Sequence, residues 1–473
     1  MSSAARIVMG GLAAALLSSC GIFEARYHQP PLPVADAWPI PPQTVDGNAA
    51  EIGWRDFFTD AKLQKLIELS LAHNRDLRVA VLSVDKARAA YHVQRSYRLP
   101  EVDASGSMTR ERIAPVEFGL PASSGGQTSK YFSAGLGVTS FELDLFGRVA
   151  SLSHDAYEQY LAASEARRAA QLALIAEVAN AYLTLAADLE HERLGNQTLA
   201  SQEMSYQLAE KRFQLGGASA LDLNQARTTV ESARADAARY AGAVAVDKDA
   251  LMVLVGVPLD DAWLPAAFEP EIAGVRPLPA GLPSTVLLRR PDVLQAEHVL
   301  RAADAAIGAA RAAFFPTISL TGNVGSVSTE LSGLFKSGTG TWSFVPQVSL
   351  PIFTAGRNVA NLRSANVTRD IEIARYEQAI QTSFREVADA LALTATLKRQ
   401  SEAQRALADA SGAAFKLAEA RYKTGKDSYL QLLDAQRSDY AARQGLISTQ
   451  MSEQSNRVTL YKALGGGWIE GQH

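Results

Sequence analysis

Apolar residues recur every three or four positions over much of the chain, which is the spacing of one face of an α-helix. After residue 148, Leu172, Ile175, Ala179 and Tyr182 fall at alternating spacings of four and three, the pattern of a coiled-coil seam. No proline occurs in residues 122–257 or 352–473, so no residue of the kind that breaks helices interrupts these stretches. The pattern therefore predicts long helices. They cover residues 63–97, 148–213, 221–255, 357–422 and 430–464.

The period changes to two in two segments, about residues 100–146 and 316–354. In the first, Phe132, Ala134 and Leu136 alternate with small or polar residues. Each segment predicts a β-hairpin with one apolar face and one small, polar face, made of strands of about 9–11 residues, long enough to cross a bilayer. The Gly/Ser-rich stretches are expected to form the loops at the far ends of the hairpins. They are residues 123–129 and 337–341.

The chain also contains an internal duplication. The pattern R-[FY]-x-x-G-x-x-S-x-L begins at Arg212 and again at Arg421, 209 residues later. Upstream the offset is 216 residues, as between Pro100 and Pro316. Such self-similarity indicates repeated structural units that bury their apolar faces against one another. The predicted divisions are repeat 1 at 56–257, a proline-rich linker at 258–283, repeat 2 at 284–465 and a tail at 466–473.

The first residues have the features of an export signal. Arg6 precedes a short apolar stretch, and Leu17-Ser18-Ser19-Cys20 resembles the bacterial lipobox. We therefore expect residues 1–19 to be removed, Cys20 to carry a diacylglycerol and a fatty acyl chain, and residues 20–55 to form a proline-rich, lipid-anchored segment. No aspartate follows Cys20, which favours sorting to the outer membrane. The competing interpretation is an ordinary signal peptide followed by a stray cysteine.

Composition argues against several other functions. A net charge of −4 over 473 residues gives no electrostatic case for nucleic acid. One cysteine and seven scattered histidines offer no metal-ligand spacing, and no nucleotide-binding or hydrolase motif occurs. We expect no catalytic site, no metal and no cofactor other than the acyl groups on Cys20, and hence a protein that is not an enzyme.

Four strands are too few for a membrane barrel. About eight strands make the smallest barrels, and lipid does not tolerate an open sheet edge. Other copies of the chain must therefore complete the wall, and three copies would supply twelve strands. The helices carry charges such as Arg167, Arg168 and Glu177, so they are expected to project into water.

Four motifs resemble those of the TolC-like outer membrane factors, and the lipidated OprM/NodT type of efflux channel fits best. They are residues 54–58 (WRDFF), 141–148 (FELDLFGR), 432–437 (LLDAQR) and the paired patterns at Arg212 and Arg421. The resemblance implies a mainly α fold with two transmembrane β-hairpins per protomer. It also implies a homotrimer with a twelve-stranded β-barrel, a long α-helical periplasmic barrel and a mixed equatorial belt.

The resemblance further implies a location and partners. The protein would sit in outer membrane lipid and pass small molecules outward, without using energy itself. It would work with a periplasmic adaptor, or membrane fusion protein, and an inner-membrane pump of the RND type. Two alternatives stay open at this point: the exit duct of a type I protein secretion system, and a structural coiled-coil lipoprotein.

The same resemblance assigns roles to the two turns, at residues 213–220 and 422–429. Their glycines allow the chain to reverse between antiparallel helices. Three leucines and three aspartates around a trimer would form an apolar and an anionic constriction, although the acidic position is not duplicated, since Gln225 matches Asp434. The periplasmic gate is predicted at Leu430, Asp434, Arg421 and Tyr422. Adaptor docking is predicted at Arg212, Gly216, Ser219, Leu221, Arg421, Gly425, Ser428 and Leu430.

Overall fold

The structure, a computed structural model, describes residues 23, 25, 27–38, 52–114, 127–268 and 284–466. The described residues divide into two compact units. The sheet unit draws on residues 1–30, 84–163 and 296–376, and the helical unit draws on residues 31–83, 164–295 and 377–473. Cys20, the predicted signal peptide, most of the predicted linker and residues 467–473 lie outside the described residues.

Eight α-helices and four β-strands are described. The helices are α1 Trp54–Phe57, α2 Ala61–His73, α3 Arg75–Ser96, α4 Arg148–Gln214, α5 Ala220–Val255, α6 Pro291–Ala312, α7 Arg357–Lys423 and α8 Tyr429–Ala463. The strands are β1 Asp103–Ile113, β2 Gln127–Leu143, β3 Thr317–Ser328 and β4 Gly340–Ser349. Short 3-10 turns occur at Asp261–Trp263, Ser284–Arg289 and Leu331–Gly333.

The prediction of a single helix over residues 63–97 is wrong. The chain leaves the helix at Asn74, whose backbone is extended, and a second helix begins at Arg75. The Asn74 side chain explains the break, because its Oδ1 accepts a hydrogen bond from the Leu77 amide at 2.9 Å and so satisfies one of the free donors of the new helix. The helical spacing of apolar residues continues across the break because each of the two helices has one apolar face, and this spacing led to the prediction of a single helix.

The core of the helical unit lies where α1 and α2 pack with α4, α5 and α8. Trp54, Phe57 and Phe58 are buried, and the Phe57 ring stacks on Tyr461 at 3.8 Å between centroids. Among the described helices, α4 contains a stretch apolar enough to cross a membrane by length and composition, but 61% of that stretch is buried within the protein. Its apolar residues, including Ile175 and Leu183, belong to this core.

The duplication is visible in how the long helices end. In repeat 1, the Asn74 amide donates to the carbonyl of Leu254 near the end of α5, at 2.9 Å. In repeat 2, buried Arg290 donates to the carbonyl of Ala463 at the end of α8, at 2.7 Å. Arg290 also pairs with Glu386 on α7 at 2.8 Å. Equivalent positions therefore satisfy equivalent C-terminal carbonyls with different side chains.

The four strands form one antiparallel sheet in the order β1-β2-β3-β4, so the hairpins of the two repeats pair with each other through β2 and β3. β2 has 17 residues and is longer than predicted. It contains a bulge between Val138 and Phe141, where Ser140 adopts a φ of 54°. The bulge inserts one extra residue into β2, so Val138 and Phe141 lie on the same face of the sheet even though they are three residues apart.

The register aligns the apolar residues of all four strands. Leu136, Val324 and Trp342 stand in one cross-strand row. In the protomer these side chains are exposed, at 52, 60 and 79%. The opposite face carries hydroxyls, as in the 2.8 Å contact between Ser107 and Ser133. An apolar face this large on a protomer indicates a surface that lipid or protein covers.

The end of the second hairpin differs from the prediction. β4 stops at Ser349, so Leu350 and Ile352, which were expected to continue its alternation, lie beyond the strand. The strand ends two residues before Pro351, a residue that cannot donate a ladder hydrogen bond.

Candidate functional site

The turn between α4 and α5 is a Schellman motif. Gly216 has a φ of 73°. Its amide donates to the carbonyl of Phe213 at 3.0 Å, and the amide of Gly217 donates to the carbonyl of Arg212 at 2.7 Å. A residue in the left-handed conformation at this place allows the amides after the helix to bond its last carbonyls, and glycine adopts this conformation without steric cost.

The turn between α7 and α8 repeats that geometry. Gly425 also has a φ of 73°, and its amide donates to the carbonyl of Tyr422 at 3.0 Å. The amide of Lys426 donates to the carbonyl of Arg421 at 2.9 Å. The arginine, aromatic and glycine of the duplicated pattern therefore occupy equal positions in two equal helix ends.

The helices that leave the two turns begin differently. Ser219 caps α5 in a capping box, with its hydroxyl accepting from the Asp222 amide at 3.1 Å while the Asp222 carboxylate accepts from the Ser219 amide. Ser428 occupies the same position before α8 and makes no side-chain capping hydrogen bond. A serine cap typically contributes about 1 kcal/mol to helix stability, so the start of α8 has weaker local support than the start of α5.

The two tips pack against each other through an aromatic cluster, named here the tip core. It consists of Ala209, Ala226, Tyr422, Tyr429, Leu432 and Leu433. Tyr422 is 6% exposed and meets Tyr429 edge to face at 5.6 Å. Arg212 lies over the Tyr422 ring at 4.6 Å, and its guanidinium donates to the Tyr422 carbonyl at 3.4 Å. Tyr422, predicted as a gate residue, thus contacts the other repeat of its own chain.

Arg421 is held by a residue to which the sequence assigned no role. Its guanidinium donates to both carboxylate oxygens of Asp427 at 2.6 and 2.8 Å, in a two-point pair within the same tip. The pair lowers the pKa of Asp427, chiefly through this hydrogen bond. Asp427 lies in the second tip, between the glycine and the serine of the duplicated pattern, where the first repeat has Ala218. The sequence feature that could have identified this pair is an acidic residue six positions after an arginine, on the other side of the glycine turn.

The predicted leucine positions face outward in both repeats. Leu221 is 66% exposed and Leu430 is 52% exposed, just after the starts of α5 and α8. Asp434 is also exposed, and within the described residues it forms no ion pair. Leu215, at the apex of the first turn, is 87% exposed and was not predicted. Its exposure could have been predicted because it is an apolar residue directly before the glycine of the turn, where a side chain has no helix to pack on.

A second group of ionisable residues lies farther along the helical unit. Burial and the neighbouring Asp188 on α4 raise the pKa of Asp247 on α5 to about 6. Nearby on α4, His191 stacks on Tyr240 at 4.8 Å, and burial lowers its pKa. Among the described residues, no three histidine, aspartate, glutamate or cysteine side chains come together in a way that could hold a metal ion.

Comparison with known proteins places the chain in a family. The family model described as "Outer membrane efflux protein" matches residues 66–257 and 282–466. The chain is 49% identical over 462 residues to the toluene efflux pump outer membrane protein TtgC of Pseudomonas putida, with 96% of the chain and 94% of the relative covered. It is 45% identical over 467 residues to outer membrane protein OprJ of Pseudomonas aeruginosa, with 98% and 96% covered.

Solved structures agree. The open state of the MtrE outer membrane channel of Neisseria gonorrhoeae matches with a TM-score of 0.85 and 40% identity, over 94% of this chain and 98% of that one. The CmeC outer membrane channel of Campylobacter jejuni matches with a TM-score of 0.87 and 26% identity, over 94% and 95%. The chain therefore belongs to the outer membrane efflux protein family.

The fold and the function follow at the level of this family. The chain has the mainly α, TolC-like fold of outer membrane channels. It is an outer membrane efflux channel, as the resemblance in its motifs predicted. The relatives are efflux components, which favours the efflux interpretation over a secretion duct or a structural lipoprotein.

Proposed function

We propose that three copies of this chain form the outer-membrane exit channel of a tripartite efflux system. The observation that carries the proposal is the four-stranded sheet. Among the described residues, β1 pairs only with β2 and β4 pairs only with β3, so each protomer leaves two open edges. Lipid does not accept such edges. Three sheets joined edge to edge close a twelve-stranded barrel with the apolar face toward lipid and the hydroxyl face toward a pore.

The tips dock the other components. They take the hairpins of a periplasmic adaptor, which links the channel to an inner-membrane pump of the RND type. Support comes from the exposed leucines at both tips, Leu221 and Leu430, beside two glycine turns of equal geometry. The residues assigned to docking are those predicted from the sequence, with Leu215 added because of its exposure. Small molecules pass without energy input from this chain, and the pump supplies the free energy.

The gate lies at the second tip. In the trimer, Leu430 and Asp434 form rings of three, one apolar and one anionic. Both are exposed in the protomer and lie one helical turn apart on α8. Opening moves α7 and α8, and the Arg421–Asp427 pair with the Tyr422 ring holds the closed position. The weaker cap at Ser428 fits a helix start that moves.

Cys20 anchors the chain to the membrane through its acyl groups. Support comes from Phe23, three residues later, in the sheet unit. Its ring stacks on Phe315 at 4.5 Å, and its carbonyl accepts from Arg311 at 3.1 Å. Phe315 directly precedes Pro316 and β3. The chain just after the acylated residue therefore lies at the end of the sheet that the helices enter, where the inner leaflet of the outer membrane would be.

The test is drug susceptibility in a strain that lacks the gene. Wild-type protein is expected to restore resistance to toxic small molecules. Protein with Leu221→Asp and Leu430→Asp, which places charge on both tips, is expected to reach the membrane and fail. A second control, Lys86→Gln on an exposed face of α3, is expected to restore resistance. Full resistance with the two aspartates would contradict docking at the tips. No resistance with wild-type protein, alongside its own adaptor and pump, would contradict the efflux role.

A further inference from the structure

The apolar face of the sheet ends in positive charges at the end that bears the β1–β2 loop. β1 continues past Met108 with Arg110 and Arg112, and β2 carries Lys130 two residues before Phe132. Alternate residues of a strand share a face. The three cations therefore lie on the same face as Met108 and Phe132, immediately beyond them, and are named here the cation patch.

The register places two of these cations directly opposite each other. Arg110 pairs with Lys130 across β1 and β2. Like charges in opposed positions destabilise a sheet. The Lys130 ammonium lies 4.7 Å from the centroid of the Phe132 ring, and Arg110, Arg112 and Lys130 are exposed. In the part of the chain that the structure describes, none of the three forms an ion pair. No described acidic side chain therefore offsets the repulsion between Arg110 and Lys130, whereas a bound anion would.

The acids of the same strand occupy the opposite face. Glu111 pairs with Ser129 and Asp103 pairs with Gly137, in the rows that carry hydroxyls and glycines. Alternation thus separates the charges of β1 by sign, with positive charge on the apolar side and negative charge on the small, polar side. A solvated loop end has no need of such a separation, whereas a surface that meets an anionic layer does.

The height of the patch matches a membrane boundary. The apolar residues of β2 run from Phe132 to Leu143, about 36 Å along a strand at 3.3 Å per residue. At a tilt of about 40° this covers about 28 Å, close to the apolar band of about 25 Å in membrane barrels. β2 leads from Leu143 into α4, so the cation patch lies at the opposite, outer boundary of that band.

We propose that Arg110, Lys130 and Arg112 bind the phosphate groups of lipid A, the phosphorylated glycolipid of the outer leaflet. A phosphate between Arg110 and Lys130 accepts hydrogen bonds from both and removes their repulsion. Arginine offers two parallel donors to such a group, and the neighbouring Met108 and Phe132 contact acyl chains. The proposal rests on the apolar face of the sheet being the lipid-facing wall of the barrel.

Native mass spectrometry of the purified full-length protein in detergent tests the proposal. The probes are diphosphoryl lipid A, dephosphorylated lipid A and phosphatidylglycerol. Wild-type protein is expected to retain diphosphoryl lipid A in preference to both other lipids. Since each cation near an anionic surface changes affinity about fivefold, Arg110→Gln with Lys130→Gln should weaken binding about 25-fold. Arg110→Lys with Lys130→Arg should keep it.

The matched control removes two exposed cations elsewhere in the sheet unit, with Lys86→Gln and Arg98→Gln, and should bind like the wild type. Equal binding of the three lipids by wild-type protein would overturn the proposal, because it would show attraction to any lipid surface. Unchanged binding by the Arg110→Gln, Lys130→Gln variant would also overturn it. Single-channel currents in phospholipid bilayers, measured on the same samples, report separately on the channel and should be the same for all variants.

Discussion

The guanidinium of Arg212 lies 4.6 Å from the centre of the Tyr422 ring and donates to the Tyr422 carbonyl at 3.4 Å. The two residues lie in the two copies of a duplicated turn but at neighbouring positions of the pattern, because Arg212 matches Arg421 and Phe213 matches Tyr422. The contact therefore ties the tip of repeat 1 to the tip of repeat 2. Any movement of the α7–α8 pair at this end must break it or carry α4 along.

Replacing Arg212 with alanine should loosen the second tip. A cation over an aromatic ring contributes about 0.5–1 kcal/mol where it is exposed to solvent. Amide hydrogen exchange over residues 422–433 is expected to accelerate about twofold to fivefold. Lys211→Ala, next to it and exposed, should leave exchange as in the wild type. Equal rates in wild type and Arg212→Ala would show that the contact does not couple the tips.

Replacing Asp434 or Arg421 with alanine should raise single-channel conductance in planar bilayers. The first change removes a ring of carboxylates from the proposed gate, and the second breaks the two-point pair of Arg421 with Asp427. Gln225→Ala provides the control, because Gln225 is the repeat 1 counterpart of Asp434. If conductance stays at the wild-type value in both variants, the gate does not lie at these residues.

Gly325→Ala should prevent the sheet from forming, whereas Gly340→Ala in the same hairpin should not. A Cβ at Gly325 would lie 2.4 Å from the Ala134 carbonyl oxygen and 2.8 Å from Gly135 Cα. Nothing lies within 4 Å of a Cβ at Gly340. Crowding of this kind typically costs about 1–3 kcal/mol. Heat-modifiable migration in detergent gels should disappear for the first variant only; its persistence in Gly325→Ala would mean that β2 and β3 can separate locally.

The long helices and the hairpins could be predicted from the sequence because periodicity and proline content act locally along the chain. The break at Asn74 could not, because it depends on a side chain that caps the next helix and reaches Leu254 in another element. The bulge at Ser140 was missed because the alternation there fails for one residue and then resumes.

The two turns of the candidate site could be predicted because the duplication repeats their sequence, whereas the contacts between them could not. Self-similarity identifies equivalent turns, and the Schellman geometry of Gly216 and Gly425 follows from their residue types. Self-similarity does not, however, indicate which residues of one tip contact residues of the other tip. The packing of Arg212 on Tyr422 arises from the tertiary arrangement. The pairing of Arg421 with Asp427 is local to the second turn, and the comparison of the repeats missed it because the first repeat has Ala218 at that position. The exposure of Leu215 likewise depends on what the neighbouring helices leave uncovered.

The carboxyl of Asp247 should make stability depend on pH. Burial and the adjacent Asp188 raise its pKa from an ordinary 3.8 to about 6. The folded protein therefore binds a proton more tightly than the unfolded chain, so this stabilising contribution is present below about pH 4 and is lost as pH rises through 6. Because the group is only partly buried, the effect after screening is about 1 kcal/mol.

Asp247→Asn should remove that dependence, since the amide keeps the shape and carries no charge. The temperature at which the helical signal is lost should rise by about 1 °C at pH 7.5 relative to wild type, with no gain at pH 4. Asp249→Asn, at an exposed position on α5, is the control and should change neither value. A wild-type melting temperature that does not fall between pH 4 and pH 7 would contradict the coupling of the two aspartates.

If one chain supplies a third of a closed wall, the native particle must contain three chains, and that number can be counted. Native mass spectrometry of the protein extracted gently from the outer membrane should give a particle of three chains, with no folded monomer at working concentrations. A stable monomer that keeps its sheet, or a particle of another number of chains, would contradict the twelve-stranded barrel and the gate built from rings of three.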